Sequence, residues 1–322
     1  MRAVLLSEFG PPDVLVPADV PDPVPGADQV VIDVAFANIT FIETQFRATG
    51  FGPFKPELPM IPGNGVGGTV ASTGTGADPA WAGRRVVSST GGSGGYAERV
   101  AADAGGLFEL PAGLSLDDAV ALLADGRTAA MLVAAAELRG GDRVLVEAAG
   151  GGVGTLLVQL ARSAGAEVVA AAGGARKLAL ARELGATVAI DYGEPDWTER
   201  VRAAVGAVHV VFDGVGGATG RSAFELLDRG GRMLSFGLAS GEWAGIPDEA
   251  AAARGVTLVR PQATPEQMRA FTETVLAEAA AGRLRPVIGQ RFPLERAADA
   301  HAAIEARATI GKTLLEVVSS VT

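Results

Sequence analysis

Cysteine is absent from the 322 residues of this chain. Disulfide bonds, thiolate nucleophiles and thiolate metal ligands are therefore excluded together. Histidine is almost as scarce, because His209 and His301 are the two in the sequence. They lie far apart, and neither is at ligand spacing from the other or from a pair of carboxylates. We therefore expect no metal site, catalytic or structural, and we interpret each histidine as a packed or surface residue.

Basic side chains and long apolar runs are also limited. The formal net charge is −10, which disfavours nucleic acid and anionic membranes as partners. We find no apolar run of about 20 residues, the length that a bilayer requires, and no secretory pattern behind the first residues. These features predict a soluble, cytoplasmic protein. Lysine is rare, with Lys55, Lys177 and Lys312 as its three positions, so each is more informative than in a lysine-rich chain.

The length and the hydrophobic pattern predict two domains. A chain of 322 residues exceeds the usual size of a single core. The pattern is β-rich from Val4 to about Pro111, and from about Leu116 strand and helix patterns alternate, which is typical of a doubly wound parallel sheet. The alternating segments are predicted as strands at 143–147, 167–172, 188–192, 207–213, 231–236 and 256–260, and as helices at 152–164, 175–184, 196–205, 218–228 and 265–280. The tail, with a strand near Val287, a helix at 297–306 and a strand at 313–318, is too small for its own core and should pack on the first domain.

The most informative motif is Ala149-Gly-Gly-Gly-Val-Gly154, which follows an apolar strand and opens an amphipathic helix. It matches the dinucleotide fingerprint as A-x-G-x-x-G, with Gly151 free to approach a diphosphate and Gly154 free to let the helix pack close to the strand. Helix N-termini attract phosphate groups. A second strand follows at βαβ spacing. An ordinary strand-to-helix turn is the alternative, but the context favours a bound dinucleotide.

The end of that second strand indicates which dinucleotide binds. An acid there holds the ribose 2′-hydroxyl of NAD, whereas a cation suits the 2′-phosphate of NADP. The chain reads Gly173-Gly-Ala-Arg-Lys177, with two cations and no acid. This favours NADP, although Arg176 and Lys177 at a solvated helix start are the alternative.

An ordered series of short motifs then resembles a known family over nearly the whole chain. The series comprises Leu58-Pro-Met-Ile-Pro-Gly63, Gly94-Gly-Tyr-Ala-Glu98, Gly126-Arg-Thr-Ala129, the glycine-rich motif, Leu184-Gly-Ala186, Asp191-Tyr192, Phe212-Asp-Gly-Val-Gly216, Gly230-Gly-Arg232, Phe236-Gly237 and Gly311-Lys312. It resembles the zinc-free, zeta-crystallin-like quinone oxidoreductase branch of the medium-chain dehydrogenase/reductase superfamily.

The resemblance implies a fold of two parts and a cofactor. It implies a GroES-like catalytic domain at 1–116 completed by 287–322, a Rossmann domain at 117–286, and NADPH in the cleft. Members of the branch reduce quinones or the C=C bond of α,β-unsaturated carbonyls. Carried over by position, the cofactor residues are expected to be Gly151, Gly152 and Val153 at the diphosphate and Gly173, Lys177 and Tyr192 at the 2′-phosphate. Val215 is expected at the end of the fourth strand beside the cofactor, Phe236 and Gly237 at the nicotinamide end, and Thr128 near the nicotinamide.

The departures from the family pattern fall in the substrate half. In the segment from Asn38 to Arg47, Thr40 replaces the usual Asn, Glu43 the usual Asp, and Gln45 the Tyr of many members, whereas Arg47 is retained. Gly65 stands where an acid is usual. Cofactor binding is therefore expected to transfer well and substrate identity poorly.

The candidate catalytic residues follow from the chemistry of hydride transfer, which needs donors for the developing anionic oxygen and a source of a proton. General acids that titrate near neutral pH are missing from the expected cleft. We expect water to supply the proton, organised by Thr40, Gln45 or Thr128, and Arg47 or Arg127 to stabilise the oxygen. The alternatives are that Arg47 is a surface residue and that Arg127 forms a structural ion pair with Asp125.

Two further surfaces are predicted. The loop Phe51-Gly-Pro-Phe-Lys-Pro-Glu-Leu-Pro59 is interpreted either as an apolar lid over a planar acceptor or as a proline-stiffened connection. The strand Gly255-Val-Thr-Leu-Val-Arg260 is expected at a sheet edge, where pairing with its own copy would give a homodimer, as in the family.

Three functions remain open from the sequence. The first is an NADPH-dependent reductase of quinones or activated alkenes, without zinc. The second is a secondary-metabolism enzyme with one narrow substrate, suggested by Thr40 and Gln45. The third is a binding protein that retains the nucleotide site without efficient turnover, since a fold does not decide among them.

Overall fold

The computed structural model describes residues 1–52 and 57–317. In chain order its elements are β1 (Arg2–Leu6), β2 (Leu15–Asp19), β3 (Gln29–Ile39), α1 (Phe41–Thr49), β4 (Gly65–Thr73), β5 (Arg85–Ser89), β6 (Arg99–Asp103), β7 (Leu107–Glu109), α2 (Leu116–Ala136), β8 (Arg143–Val146), α3 (Gly152–Ser163), β9 (Glu167–Ala172), α4 (Ala175–Glu183), β10 (Val188–Asp191), α5 (Trp197–Val205), β11 (Val208–Asp213), α6 (Gly217–Phe224), β12 (Leu227–Ser235), α7 (Asp248–Arg254), β13 (Thr257–Leu258), α8 (Pro265–Ala280), β14 (Ile288–Pro293), α9 (Ala297–Glu305) and β15 (Lys312–Glu316).

The chain divides into two compact units. The terminal unit comprises Met1–Asp125 and the residues from Thr272 onward, and the central unit comprises Gly126–Phe271. The sequence placed the divisions at 116/117 and 286/287 instead. The difference arises because each division falls inside a helix, one within α2 and the other within α8. A sequence pattern shows where a helix begins and ends, but it does not show at which residue the helix stops contacting one unit and starts contacting the other.

The terminal unit is built on a mainly antiparallel sheet. Its strand order is β14-β15-β3-β4-β5-β7, with β6 also paired to β3. The long strand β3 carries the core, because Val30, Ile32 and Val34 are almost fully buried and pack in one apolar cluster with Leu315 of β15. The return of β15 to pair with β3 explains why the tail needs no core of its own.

The helix α1 interrupts the β-rich first part of the chain. Thr40 occupies its N-cap, and Gly50 closes it in the left-handed conformation with a φ of 70°. Thr40 and Glu43 form the S/T-x-x-E capping box, which satisfies backbone donors at a helix start. The sequence pattern predicts a β-rich region here, and α1 corrects that prediction.

The central unit is a six-stranded parallel sheet in the order β10-β9-β8-β11-β12-β13. The alternating strands and helices predicted from 143 to 213 are confirmed, with element ends that shift by a residue or two. The chain starts at β8 and moves first toward β9 and β10, then returns to β11 on the other side. The order therefore reverses beside β8, which is where open α/β sheets bind ligands, at the carboxyl ends of their strands.

The last strands of this sheet differ from the prediction. The helix expected at 218–228 ends at Phe224, and β12 begins at Leu227 rather than at residue 231. Pairing with β11 explains the early start, since Leu227 lies opposite Val208 before the register shifts. The strand expected at 256–260 is reduced to Thr257–Leu258, at the sheet edge as predicted.

The helix α2 corrects one expectation about apolar runs. This helix of 21 residues is long enough and apolar enough to cross a membrane, judged by length and composition alone. Half of its most apolar 18-residue stretch is buried inside the protein. Val120, Leu122, Ala129 and Leu132 are 0–1% exposed. Burial of these side chains is sufficient to explain its apolar composition.

Two predictions reach residues outside the described range. The expected strand at 313–318 is observed as β15, and its last residue, Val318, lies beyond the description. Residues 53–56 of the proposed lid loop also lie outside the described residues.

Candidate functional site

The carboxyl edge of the central sheet brings together the predicted cofactor residues. Five parallel strands, β8 to β12, end beside one another, and each is followed by residues that the sequence analysis singled out. These residues are Gly151, Gly152 and Val153 after β8, Gly173 and Lys177 after β9, Tyr192 after β10, Val215 after β11, and Phe236 and Gly237 after β12.

The helix α3 approaches the turn after β8 closely because Gly154 has no side chain. Gly151 is the N-cap of α3, in extended conformation with a φ of −88°. A Cβ on Gly154 would lie 2.2 Å from the carbonyl oxygen of Ala148, so any larger residue would separate the helix from the strand. The N–H groups of the first turn of a helix are available to an anion. The turn therefore has the form of a phosphate cradle.

Lys177 and Tyr192 lie against this cradle. A Cβ on Gly150 would meet the Cβ and Cγ of Lys177 at 2.6 Å, so the apolar stem of Lys177 covers the glycine-rich turn. A Cβ on Gly173 would lie 3.6 Å from Cε2 of Tyr192. Arg176, the neighbouring cation, is exposed. Of the two cations that the sequence pointed to, Lys177 is therefore the one that contacts the cradle.

Asp191 is a site residue whose contacts the sequence reasoning missed. Its Oδ2 accepts a hydrogen bond from the Gly174 N–H at 2.9 Å, and its Oδ1 accepts one from the Gly193 N–H at 2.8 Å. A carboxylate therefore connects the turn after β9 with the turn after β10. It also places a carboxylate at the N-terminus of α4, the helix that carries Lys177. The position at the end of β10 was the available signal, because strand ends meet at one edge.

Val215 and the predicted nicotinamide residues Phe236 and Gly237 lie on two segments that pack against each other. The N–H of Ser240 donates to the carbonyl of Val215 at 2.8 Å, and the N–H of Phe236 donates to the carbonyl of Asp213 at 2.9 Å. A Cβ on Gly237 would lie 2.6 Å from the Gly214 carbonyl oxygen. Val215, Phe236 and Gly237 therefore share one locally fixed surface.

Asp213 holds the first of these segments. Its Oδ1 accepts from the N–H groups of Val215 and Gly216 at 3.1 and 2.7 Å, and its Oδ2 accepts from the Ser235 hydroxyl at 2.8 Å. Asp213 is fully buried. A buried carboxylate with three donors is well satisfied.

A second carboxyl group, that of Glu147, lies beside it. Its Oε2 accepts from the same Val215 N–H at 3.3 Å, and its Oε1 is buried without a hydrogen-bond partner. Burial raises the pKa of the Glu147 carboxyl well above its ordinary value, and the neighbouring Asp213 raises it further. In the sequence, Glu147 falls at the end of an apolar strand pattern, and that pattern gives no sign that Glu147 is a site residue.

Three of the predicted catalytic residues lie together on α1. The N–H and the hydroxyl of Thr40 both donate to Oε2 of Glu43, at 2.6 and 2.7 Å. Oε1 of Glu43 accepts from the Asn64 N–H at 2.9 Å. Burial raises the pKa of Glu43, although the two Thr40 hydrogen bonds oppose the shift. Gln45 lies on the next part of the helix and is half-buried.

Arg47 is not a surface residue, so that alternative is wrong. It is 1% exposed, and it donates to the carbonyl of Gly10 and to the carboxylate of Glu305. Nearby, the Tyr96 hydroxyl lies 3.0 Å from Nε2 of His301, and both side chains are fully buried. Burial and the charge of Arg47 lower the pKa of His301 to about 3. Of the two possibilities predicted for His301, packed or surface, the structure shows the packed one.

The alternative in which Arg127 pairs with Asp125 is not what the structure shows. Asp125 accepts a hydrogen bond from Nζ of Lys312 at 2.9 Å, in a buried ion pair of the terminal unit. Arg127 is half-buried, its Nε has no hydrogen-bond partner, and burial lowers its pKa. Thr128, another predicted catalytic residue, is half-buried on α2 within the central unit.

The missing acid at position 65 has a steric explanation. A Cβ on Gly65 would lie 2.4 Å from Nδ2 of Asn38, whose side chain is fully buried. That amide donates to the Val120 carbonyl at 3.3 Å. Asn38 thus fills the space that an acidic side chain at position 65 would need.

Within residues 1–52 and 57–317, no group of three His, Asp or Glu side chains is arranged to hold a metal ion. The two histidines have other partners. His301 is bonded to Tyr96, and Nδ1 of His209, which is half-exposed, accepts from the Arg143 N–H at 3.0 Å.

Comparison with known proteins agrees with this architecture. Residues 26–112 match the alcohol dehydrogenase GroES-like domain, and residues 152–274 match the zinc-binding dehydrogenase family. Quinone oxidoreductase from Pseudomonas aeruginosa is 32% identical over 323 residues, covering 98% of this chain and 99% of the relative. Human quinone oxidoreductase is 31% identical over 309 residues, covering 94% of this chain and 93% of the relative.

Solved structures give the same result. Escherichia coli quinone oxidoreductase complexed with NADPH aligns with a TM-score of 0.91 at 30% identity, over 98% of this chain and 100% of that chain. The Thermus thermophilus quinone oxidoreductase, also solved in complex with NADPH, aligns with a TM-score of 0.80 at 33% identity, over 98% and 100%. The GroES-like and Rossmann fold predicted from the sequence is thereby confirmed. This chain belongs to the quinone oxidoreductase family of the medium-chain dehydrogenase/reductase superfamily.

Proposed function

We propose that this protein is an NADPH-dependent reductase that transfers hydride to a quinone or to the C=C bond of an α,β-unsaturated carbonyl, without zinc. The observation that supports this most strongly is the phosphate cradle with the stem of Lys177 lying across Gly150. The NADPH complexes of the Escherichia coli and Thermus thermophilus relatives give independent support.

The residues at the carboxyl edge fit the parts of this cofactor. The open turn at Gly151, Gly152 and Val153 offers N–H groups to the diphosphate. Gly173, Lys177 and Tyr192 suit the 2′-phosphate, because a cation and a phenol hydroxyl supply donors to its oxygens. Val215, Phe236 and Gly237 suit the nicotinamide end, where two locally fixed segments meet.

The protein's own residues then need to position and stabilise the reactants rather than react themselves. NADPH, when bound, supplies the hydride. The protein must hold the acceptor in line, keep water away from the transfer and provide donors to the oxygen that becomes negative. We propose that Gln45 and Thr128 provide such donors. The Thr40 hydroxyl donates its hydrogen bond to Glu43, so we propose that Thr40 orients a water molecule through the acceptor lone pairs of its oxygen.

Two arginines divide between structural and chemical work. Both terminal nitrogens of Arg47 have partners, Gly10 and Glu305, so we assign it to holding α1 in place. Arg127 has an unbonded Nε, and we retain it as a donor to the anionic oxygen. The proton for the product comes from water in this scheme, since His301, with its pKa lowered to about 3, is a neutral base at ordinary pH.

Zinc independence is supported by the ligand supply. The sequence has no cysteine, and each of its two histidines has a ring nitrogen bonded to another residue. We expect activity to survive exhaustive dialysis against a chelator. Loss of activity that added Zn²⁺ restores would overturn this part of the proposal.

The function is tested by following NADPH absorbance with a panel of ortho-quinones, para-quinones and enones. We expect consumption with at least one class and much slower consumption of NADH. If NADPH binds tightly in a titration but none of the acceptors is reduced, the protein is a nucleotide-binding protein, the alternative from another class. If neither dinucleotide binds, both proposals fail.

We also propose a homodimer that forms through the edge strand β13. The strand lies at the end of the central sheet, and edge strands present unpaired backbone groups to a second copy. Size determination by light scattering should give twice the chain mass of 32.5 kDa. A Leu258→Pro variant should shift the mass toward that of one chain, and an unshifted dimer would place the interface elsewhere.

A further inference from the structure

The nucleotide site contains a buried pair of carboxyl groups for which the hydride chemistry has no use. Glu147 directly follows the last residue of β8, and Asp213 is the last residue of β11. Both are fully buried. Both oxygens, Oε2 of Glu147 and Oδ1 of Asp213, lie within 3.3 Å of the same Val215 nitrogen, so the two carboxyl groups are adjacent.

We propose that Glu147 and Asp213 share one proton, and that this acid–carboxylate pair is a positioning device for the segment that carries Val215. The second half of the proposal rests on the proposed function, because Val215 lies beside the cofactor only if NADPH binds as described. The first half, the shared proton, does not depend on it.

The supply of donors shows which partner keeps the proton. Asp213 receives hydrogen bonds from Val215, Gly216 and Ser235, so its negative charge is compensated. Glu147 receives one long bond, and its Oε1 has no partner. An ionised carboxylate with so few donors is costly in a buried site, and two adjacent ones are costlier still. Glu147 is therefore the neutral acid, and its O–H donates to Asp213.

Among residues 1–52 and 57–317, no cation acts on the Glu147 carboxyl to oppose this assignment. The groups that face the pair are the Val215 and Gly216 N–H groups and the Ser235 hydroxyl. Asp213 is the charged group that acts on Glu147, and its influence disfavours ionisation. A shared proton belongs to the pair rather than to one residue.

The pair acts on the cofactor site through the backbone. Asp213 fixes the turn at Gly216, whose φ of 69° and close approach to the Glu242 carbonyl leave no room for a Cβ. The Val215 carbonyl in turn accepts a hydrogen bond from the Ser240 N–H, which belongs to the segment that follows β12. Ionisation of Glu147 would place a second negative charge beside Asp213. Repulsion between the two carboxylates would then displace the turn at Val215 and Gly216 from its place against the segment that follows β12.

The pH dependence has a defined sign. Because the pKa of Glu147 is raised in the folded state, its contribution to stability is complete below the unfolded-state value of about 4.5 and is lost as pH rises toward the folded value. The ratio of folded to unfolded protein should fall by up to tenfold per pH unit in that interval.

The decisive variant is Glu147→Gln, which keeps one donor and one acceptor but cannot ionise. Infrared spectra of the full-length protein near pH 7 should show the carbonyl stretch of a protonated carboxylic acid in the wild type, and this band should be absent from Glu147→Gln. Glu199→Gln, a change at an exposed carboxylate on α5, is the matched control and should retain the band. Absence of the band in the wild type would overturn the shared proton.

The positioning part is tested by NADPH titration from pH 6 to pH 10. The wild type should lose affinity at least tenfold as the pair ionises, whereas Glu147→Gln should keep a constant affinity, and Glu147→Leu should bind weakly throughout. If Glu147→Leu does not fold, the wild type and Glu147→Gln still decide the question. Equal pH profiles for these two would overturn the positioning role, while failure of both to bind NADPH at any pH would overturn the proposed function and leave the infrared result standing.

Discussion

The carboxyl edge of the central sheet and the surroundings of α1 organise their polar groups in opposite ways. At the sheet edge, contacts depend on glycines and backbone N–H groups, as at Gly151 and Gly154. Around α1, side chains satisfy one another in buried or half-buried pairs. These pairs are Thr40 with Glu43, Arg47 with Glu305, Tyr96 with His301, and Lys312 with Asp125.

The difference explains why cofactor binding can be inferred from sequence more readily than the substrate. A backbone site depends on where small residues stand, and that spacing is visible in the chain. A site of paired side chains depends on which residue meets which, so substitutions such as Glu43 for the usual Asp alter the whole set. The predictions below test whether the two regions respond as differently as their contacts suggest.

The largest effect is expected at Gly154. In Gly154→Ala the new Cβ would lie 2.2 Å from the Ala148 carbonyl oxygen, an atom of the backbone that cannot move aside without shifting α3. We expect a loss of about 3 kcal/mol in the free energy of unfolding and loss of measurable NADPH binding. Gly140→Ala, where a Cβ meets nothing within 4 Å, is the control for urea denaturation and should be nearly neutral. Similar results for the two variants would show that the close approach is unimportant.

The next largest effect is a loss of stability at acidic pH, caused by the buried His301 near α1. Burial lowers the pKa of His301 to about 3, so the folded state disfavours its protonation. Its contribution to stability is complete above the unfolded value of about 6.5 and is lost as pH falls toward about 3. The loss is at most about 1.4 kcal/mol per pH unit, or roughly 3 kcal/mol by pH 4.5.

Thermal unfolding of the variant His301→Gln between pH 7 and pH 4.5 tests this. Its stability should fall less steeply on acidification than that of the wild type. His209→Gln, at the half-exposed histidine, should follow the wild-type slope. The two regions would then fail at opposite ends of the pH range, His301 on the acid side and Glu147 on the alkaline side. An unchanged slope in His301→Gln would contradict the buried neutral histidine.

A smaller effect is expected at Lys177. Removing the ammonium group in Lys177→Ala should weaken NADPH binding by about 10- to 100-fold, since a hydrogen bond to a charged group contributes about 1.5–3 kcal/mol. NADH binding should change little, because NADH lacks the 2′-phosphate. Arg176→Ala, at the exposed neighbour, should lose no more than a few-fold. Equal losses for NADPH and NADH would place Lys177 outside the 2′-phosphate site.

The smallest effect is expected at Asp191, with the opposite sign. Its carboxylate binds the Gly174 and Gly193 N–H groups and brings negative charge near Lys177. Asp191→Asn should raise the affinity for NADPH by about 2- to 5-fold, in the range of partly screened charge pairs. NADH affinity should stay the same or fall. Glu194→Gln, an exposed acid in the following turn, is the control, and weaker NADPH binding in Asp191→Asn would mean that its charge is needed to shape the turns.

Much of the central unit was predictable from local pattern. Buried parallel strands are continuous apolar runs, so β8, β9 and β11 were recognised within a residue or two. The glycine spacing located the cradle, and the absence of an acid after β9 favoured NADPH. The misjudged end of α6 and start of β12 have a common cause, because pairing with β11 outweighs local helix propensity there.

The terminal unit was less predictable, although some signals were present. The pattern Thr40-x-x-Glu43 before an amphipathic run is a capping box, and it could have located α1 and drawn attention to Glu43. The partner of Arg47 could not be found in this way. Glu305 is 258 positions away, and an arginine in isolation gives no sign of being buried.

The sequence by itself determined the two-part architecture, the family and the dinucleotide cradle, because hydrophobic period and glycine spacing are local properties of a chain. Tertiary structure alone decided which charges meet. Asp125 pairs with Lys312 rather than Arg127, and Glu147 lies against Asp213 at the ends of neighbouring strands. These contacts arise when residues distant in sequence are buried together, and burial, which removes the screening of water, makes the identity of each partner matter.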